Sequence, residues 1–175
     1  MERMGDNILC ALVYGKGAHV APVACVEDIS AELAAQTGAD YPHSIWQIAE
    51  HMNYWMDYDL GKVAGENRPY PEQAIESWPA HPNPSLDRRL ADERWQVATR
   101  RFTDLLARVA RLAESDAAEL ARKVQCLGPA QSRRESTVHA ILWQIAAHNS
   151  YHAGQIALLR RQFGAWPPRR GGDTW

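Results

Sequence analysis

Three of the seven histidines in this 175-residue sequence are spaced so that they can share one metal ion. His148 and His152 stand four residues apart. In an α-helix that is a rise of about 6 Å and a rotation of about 40°, which lets two imidazoles converge on one point. They continue a run of Ile141, Ile145, His148, His152, Gln155 and Leu159 with steps of 4, 3, 4, 3 and 4, so two imidazoles occupy core positions on one helical stripe. His51 is drawn in by an internal repeat. Residues 46–54, WQIAEHMNY, align with residues 143–151, WQIAAHNSY, with six identities in nine at a constant offset of 148 − 51 = 97. A repeat of this kind implies two similar helical units about an approximate two-fold axis, with His51 and His148 facing one another across the core.

Burying an unpaired imidazole costs roughly 1–3 kcal/mol, so three placed together need a shared compensation. A metal ion supplies it; on spacing alone, a hydrogen-bonded polar cluster is the alternative. Three neutral imidazoles leave at least one coordination position for water or substrate, the arrangement of a catalytic rather than a closed structural site. Such an ion acts as a Lewis acid and suits either hydrolysis or thiol transfer. The histidines are accompanied by no nucleophile elbow, paired carboxylates or phosphate-cradling glycine loop, so no catalytic side chain is assigned. Gln47, one turn before His51, and Gln155, one turn after His152, are candidates to orient the rings through their outer nitrogens. His43 and His139 fall near helix starts, His19 in a glycine-flanked turn and His81 between prolines, all positions expected at helix ends or facing solvent. Trp78 is the candidate pocket lid, while Trp46, Trp95 and Trp143 have the spacing of core residues.

These side chains must be positioned by helices. A first helix is expected over residues 6–14, ended by Gly15-Lys16-Gly17, and a short one over residues 26–35. The second main helix spans residues 43–64, with Ile45, Ile48, Met52, Trp55 and Val63 on its apolar side. Residues 65–84 hold Pro69, Pro71, Pro79, Pro82 and Pro84, which exclude continuous helix or central strand and leave a long surface loop. Ser85 is the expected N-cap of the third helix, whose stripe Ala91, Trp95, Ala98, Phe102, Leu105, Val109, Leu112 alternates steps of four and three. Ser136 is the expected cap of the fourth, which runs to Phe163 before Gly164 and Pro167-Pro168. Nothing from Ser85 to Gly164 alternates with period two over a useful length. The expectation is therefore an all-α four-helix bundle, a single domain over residues 1–168 with an exposed tail over residues 169–175.

Composition narrows the partners. The formal net charge of −2, with acidic and basic residues mixed along the chain, gives no electrostatic footprint for nucleic acid or an anionic membrane. The basic pairs, Arg160-Arg161 among them, are expected on solvated helix faces or ends. No apolar stretch is long enough to span a bilayer, and the N-terminus lacks the basic start and cleavage site of a secretory signal, so a cytoplasmic protein with a small-molecule partner is expected. Cys10, Cys25 and Cys126 suggest neither a disulfide framework nor a thiolate zinc site, and each is expected as a buried thiol.

Pro42-His43-Ser44-Ile45-Trp46-Gln47 leading to His51, together with His148-Asn149-Ser150-Tyr151-His152-Ala153-Gly154-Gln155, resembles the DinB-like (YfiT-type) metal-dependent four-helix-bundle family. The resemblance runs from Gly15 to about Trp166. It implies that His51, His148 and His152 bind one nickel or zinc ion per chain, that the protein is a homodimer, and that it is similar to thiol-dependent transferases with a low-molecular-weight thiol as cosubstrate. A metal-dependent hydrolase, or a non-catalytic metal-stabilised stress-response dimer, remains open beside the transferase.

Overall fold

The computed structural model describes residues 8–15, 19–82 and 87–172. The expected helix start at Asp6 and the expected cap Ser85 lie outside these. The described chain is mostly helical: α1 (Ile8–Val13), α2 (Pro22–Val26), α3 (Ala31–Ala35), α4 (Ile45–Val63), α5 (Arg88–Ala113), α6 (Ala117–Ala121) and α7 (Val138–Gln162). A hairpin of β1 (Lys123–Leu127) and β2 (Arg133–Thr137) interrupts the helices. No helix of the described residues is long and apolar enough to cross a membrane.

The three long helices begin where side chains satisfy their first free amides. In α4, Gln47 N donates to Ser44 Oγ (3.2 Å) and Ser44 N donates to Gln47 Oε1 (3.1 Å), a reciprocal capping box. Asp87 caps α5 by accepting from Leu90 N. Thr137, not the expected Ser136, caps α7 by accepting from Ala140 N at 3.1 Å. The one-residue shift arises because β2 runs directly into α7 and Ser136 is still in the strand.

The core forms where these helices meet. α4 packs against both α5 and α7, and α1 packs against the same two. Ile45, Ile48 and Met52 of α4, Phe102 and Val109 of α5, and Leu142 and Ile156 of α7 are fully buried. The stripe read on α5 is buried from Ala91 to Val109, with Leu112 partly buried at its end.

Four expectations are corrected. The fold is mostly helical as expected, but the stretch from Ser85 to Gly164, expected to hold no strand, carries a small hairpin: Lys123 pairs with Thr137 and Leu127 with Arg133 in antiparallel register. Only Val124 of its ten strand residues is buried, so no apolar alternation announces it; cross-strand polar pairs flank the ladder instead, Lys123–Glu135 at 2.7 Å among them. The single short helix of residues 26–35 is two, α2 and α3, because Asp28 takes a left-handed φ of 54° and Ser30 caps α3. Trp143 is 59% exposed rather than in the core. Arg160 is buried, not solvated: its guanidinium donates to the carbonyls of Ala24, Cys25 and Glu27 and pairs with Asp28 at 2.7 Å, tying α7 to α2.

Of the cysteines, Cys25 is buried while Cys10 and Cys126 are partly exposed. Residues 169 and 170 are exposed but anchored, Arg169 N donating to Asp28 Oδ2 and Arg170 pairing with Glu27.

Candidate metal centre

His51 projects from α4, and His148 and His152 from α7, into one place. The Nε2 atoms of His51 and His148 lie 3.2 Å apart, and those of His148 and His152 lie 3.1 Å apart. One nitrogen from each of the three rings falls within 4.8 Å of the others. Three nitrogens bound at ~2.0–2.1 Å to one tetrahedral ion lie about 3.3–3.4 Å from one another, so the two separations at His148 are close to those of a ligand set.

The outer nitrogens explain why the inner ones of His51 and His152 are available. Nδ1 of His51 lies 3.1 Å from the carbonyl oxygen of Ser77. A carbonyl can only accept, so His51 carries its proton on Nδ1 and turns a lone pair inward at Nε2. Gln155 presents Oε1 to Nδ1 of His152 at 2.6 Å and sets the same tautomer there. His148 Nε2 thus faces two lone pairs, and one N–H cannot serve both. A cation among the three nitrogens removes that conflict, which a purely hydrogen-bonded cluster leaves standing.

Burial keeps the rings neutral. It pushes His51 down to about 4, against the raising effect of the Ser77 carbonyl and with help from nearby His152 and His43. His148 is pushed to about 3 by burial first and then by His152 and His51. His152 is lowered by burial against its bond to Gln155. Neutral imidazoles are the ligating form.

The proline-rich loop supplies the second support. Trp78 lies between two rings, stacked on His51 (centroids 3.9 Å, interplanar 9°) and on His43 (3.8 Å, 10°). The loop is held to α4 by Gln47, whose Nε2 donates to the Pro79 carbonyl at 3.0 Å. Gln47 therefore supports the loop that carries Ser77 and Trp78, and its described bonds go to Ser44 and Pro79 rather than to a ring. Gln155 meets the cluster directly. His43 has its buried Nδ1 without a partner and lies on the far face of Trp78. His139 and His81 are exposed. Nε2 of His19 lies 2.8 Å from Ser150 Oγ, on the side of α7 turned away from His148 and His152.

Two small cavities reach the cluster. One, of about 240 Å³, touches His148; the other, of about 250 Å³, touches His51; Trp55 and Tyr70 line both. Neither aromatic residue was singled out from the sequence as a site residue. For Trp55 the signal was present: the repeat offset equates His152 with position 152 − 97 = 55, so α4 carries an indole where α7 carries its second imidazole. Tyr70 gave no signal, because it is placed by the hairpin. Its N–H donates to Gln131 Oε1 at 3.0 Å and its carbonyl accepts from Gln131 Nε2 at 2.8 Å.

A sequence model described as the DinB superfamily matches residues 22–156, a span that holds all three histidines and Gln155. No curated protein and no solved structure matches the chain.

Proposed function

The chain belongs to the DinB superfamily, and we propose that it is a divalent-metal-dependent enzyme acting on a small molecule, with thiol S-transfer as its reaction. His51, His148 and His152 would hold one nickel or zinc ion through Nε2. The observation that carries this reading is the pair of inward lone pairs, on His51 and His152, that one His148 nitrogen cannot satisfy. A bound ion supplies Lewis acidity, under which a bound thiol ionises near neutral pH. The chain's own residues hold two of the three ligand rings in one tautomer: the Ser77 carbonyl and Gln155 Oε1 keep the protons of His51 and His152 outside. Trp78 fixes the plane of His51 by stacking. The cavities at His51 and His148 favour a centre that reactants can reach over a closed structural ion.

We assign the architecture to the four-helix bundle, with α1, α4, α5 and α7 as its members, in one domain over residues 1–168. The assembly we assign is a homodimer. Its support is an exposed stripe along α7 formed by Ala140, Trp143, Ala147, Tyr151, Gly154 and Leu158, of which Trp143, Tyr151 and Leu158 are 59%, 65% and 67% exposed. A second copy related by a two-fold axis would cover such a face. Three cysteines, none of them in a disulfide, suit a reducing, cytoplasmic setting.

The test is metal analysis of untagged protein followed by thiol-conjugation assays with the ion present, removed by chelation and restored. The expected result is about one divalent ion per chain and conjugation that follows the ion. A metal-free protein, or conjugation indifferent to chelation, would overturn the reading.

A further inference from the structure

A second group of reactive side chains lies on the far side of α7. The turn after α1 brings His19 to Ser150 of α7, with His19 Nε2 2.8 Å from Ser150 Oγ. Ser150 stands two residues from both His148 and His152, about 200° around the helix from each, so this pair is no part of the metal centre. The turn permits the approach. Gly15 takes a φ of 71°, and a Cβ there would meet the carbonyl oxygens of His19 and Val20 at 2.6 and 2.8 Å, so any larger residue would push this segment away. His19 N also donates to the Gly15 carbonyl at 3.3 Å. On the ring, Nδ1 lies 2.8 Å from the carbonyl oxygen of Val20. That oxygen only accepts, so Nδ1 holds the proton and Nε2 turns a lone pair to Ser150. Ser150 Oγ also lies 2.7 Å from the Ala146 carbonyl, the bond a helical serine makes one turn back. One hydroxyl proton cannot serve both acceptors, and when it turns to His19 it lies in line for transfer to the ring.

A hydroxyl, an imidazole lone pair within about 2.6–3.2 Å of it and a third group that orients the imidazole are the parts of an activated nucleophile. Here they are Ser150, His19 and the Val20 carbonyl, and both side chains are partly exposed. We propose that Ser150 and His19 form a second reactive site, independent of the metal centre, at which Ser150 takes the acyl group of a small activated ester. Ser150 Oγ forms a bond to the acyl carbon while its proton passes to His19 Nε2. The bond from that carbon to the leaving oxygen breaks, and the proton goes on to the departing alcohol. Water then attacks the acyl-serine by the same route, giving up one proton through His19 to Ser150 Oγ and releasing the acid. The site stands whether or not the three clustered histidines hold an ion.

The test mixes the full-length protein, zinc-loaded and chelated, with p-nitrophenyl acetate. The early release of p-nitrophenolate is followed by absorbance, and the acetylated peptide is identified by mass spectrometry. The expected result is acetylation of Ser150 in both preparations, with a burst approaching about one nitrophenolate per chain. Ser150→Ala should lose both the burst and the label. His19→Gln keeps a side-chain amide that can bond to Ser150 Oγ but takes up no proton, so its burst should slow by about a hundredfold or more while its thermal melt shows a folded protein. Were that variant unfolded, the Ser150→Ala comparison would decide alone. No acetyl group on Ser150, a burst unchanged in Ser150→Ala, an unchanged rate in folded His19→Gln, or a burst that vanishes on chelation would overturn the proposal.

Discussion

Replacing His51 by alanine separates the metal's contribution from that of the apo fold. In the apo chain the substitution removes the His51 bond to the Ser77 carbonyl and leaves one face of Trp78 without its stacked ring. A lost buried hydrogen bond costs about 0.5–1.5 kcal/mol and the missing ring leaves a gap beside Trp78, so the apo variant should melt below the apo wild type. The informative quantity is the increment that metal adds to each. An ion at a hundred times its Kd stabilises the wild type by about 2.7 kcal/mol. For a domain of this size that raises Tm by about 5–11 °C, at 2–4 °C per kcal/mol. If the loss of one of three ligands weakens binding about a hundredfold, the same ion concentration equals the variant's Kd and the increment falls to about 0.4 kcal/mol, or 1–2 °C. His148→Ala and His152→Ala should lose the increment likewise. His139→Ala, exposed at the start of α7, should keep it in full. The assay is a thermal melt of untagged protein with and without zinc or nickel. A full increment in any one of the three variants would remove that histidine from the centre, and full increments in all three would refute the reasoning.

Further expectations follow from the surroundings of the cluster. Because His51 is held at about 4 when folded and the unfolded imidazole titrates near ~6.5, the unfolded chain binds more protons between those values. The metal-free fold should keep its full stability above pH 6.5 and lose on the order of 2 kcal/mol from His51 by pH 5; urea denaturation showing equal stability at pH 7 and pH 5 would refute this. Gln155→Leu removes the acceptor that fixes the His152 tautomer, so metal affinity measured by chelator competition should fall about 10–100-fold, with Gln155→Glu largely restoring it. Gln131→Ala removes both bonds to the Tyr70 backbone, so hydrogen exchange of the Tyr70 amide should accelerate while metal content stays unchanged.

The parts legible in the sequence were those whose physics is local. The α5 stripe is a helical period written in apolar residues, and the His148–His152 spacing with the repeat to His51 marked the three rings that converge. Helical spacing misled at Trp143, and the repeat does not carry identity of surroundings. Trp46 is 7% exposed and its counterpart Trp143 is 59% exposed, and Trp143 lies two residues from both Ile141 and Ile145, about 200° off the buried stripe of its own helix. The break at Asp28 was hidden because its left-handed conformation goes with the buried Arg160, a contact across 132 residues. The hairpin has strands too polar to alternate, and the Ser77 carbonyl is a backbone atom with no residue-type signature.

Trp55 shows what the doubling of the helices leaves undone. Were the two halves alike through one more turn, α4 would present a second imidazole to match His152, and the set would number four. Four such donors complete a tetrahedral shell. An ion so enclosed exchanges slowly and admits no reactant, which suits storage or scaffolding rather than turnover. The indole at position 55 breaks the correspondence at the one place where keeping it would shut the centre. If the cluster holds a catalytic ion as proposed, a single exchange, Trp55→His, would separate a reactive version of this protein from an inert one.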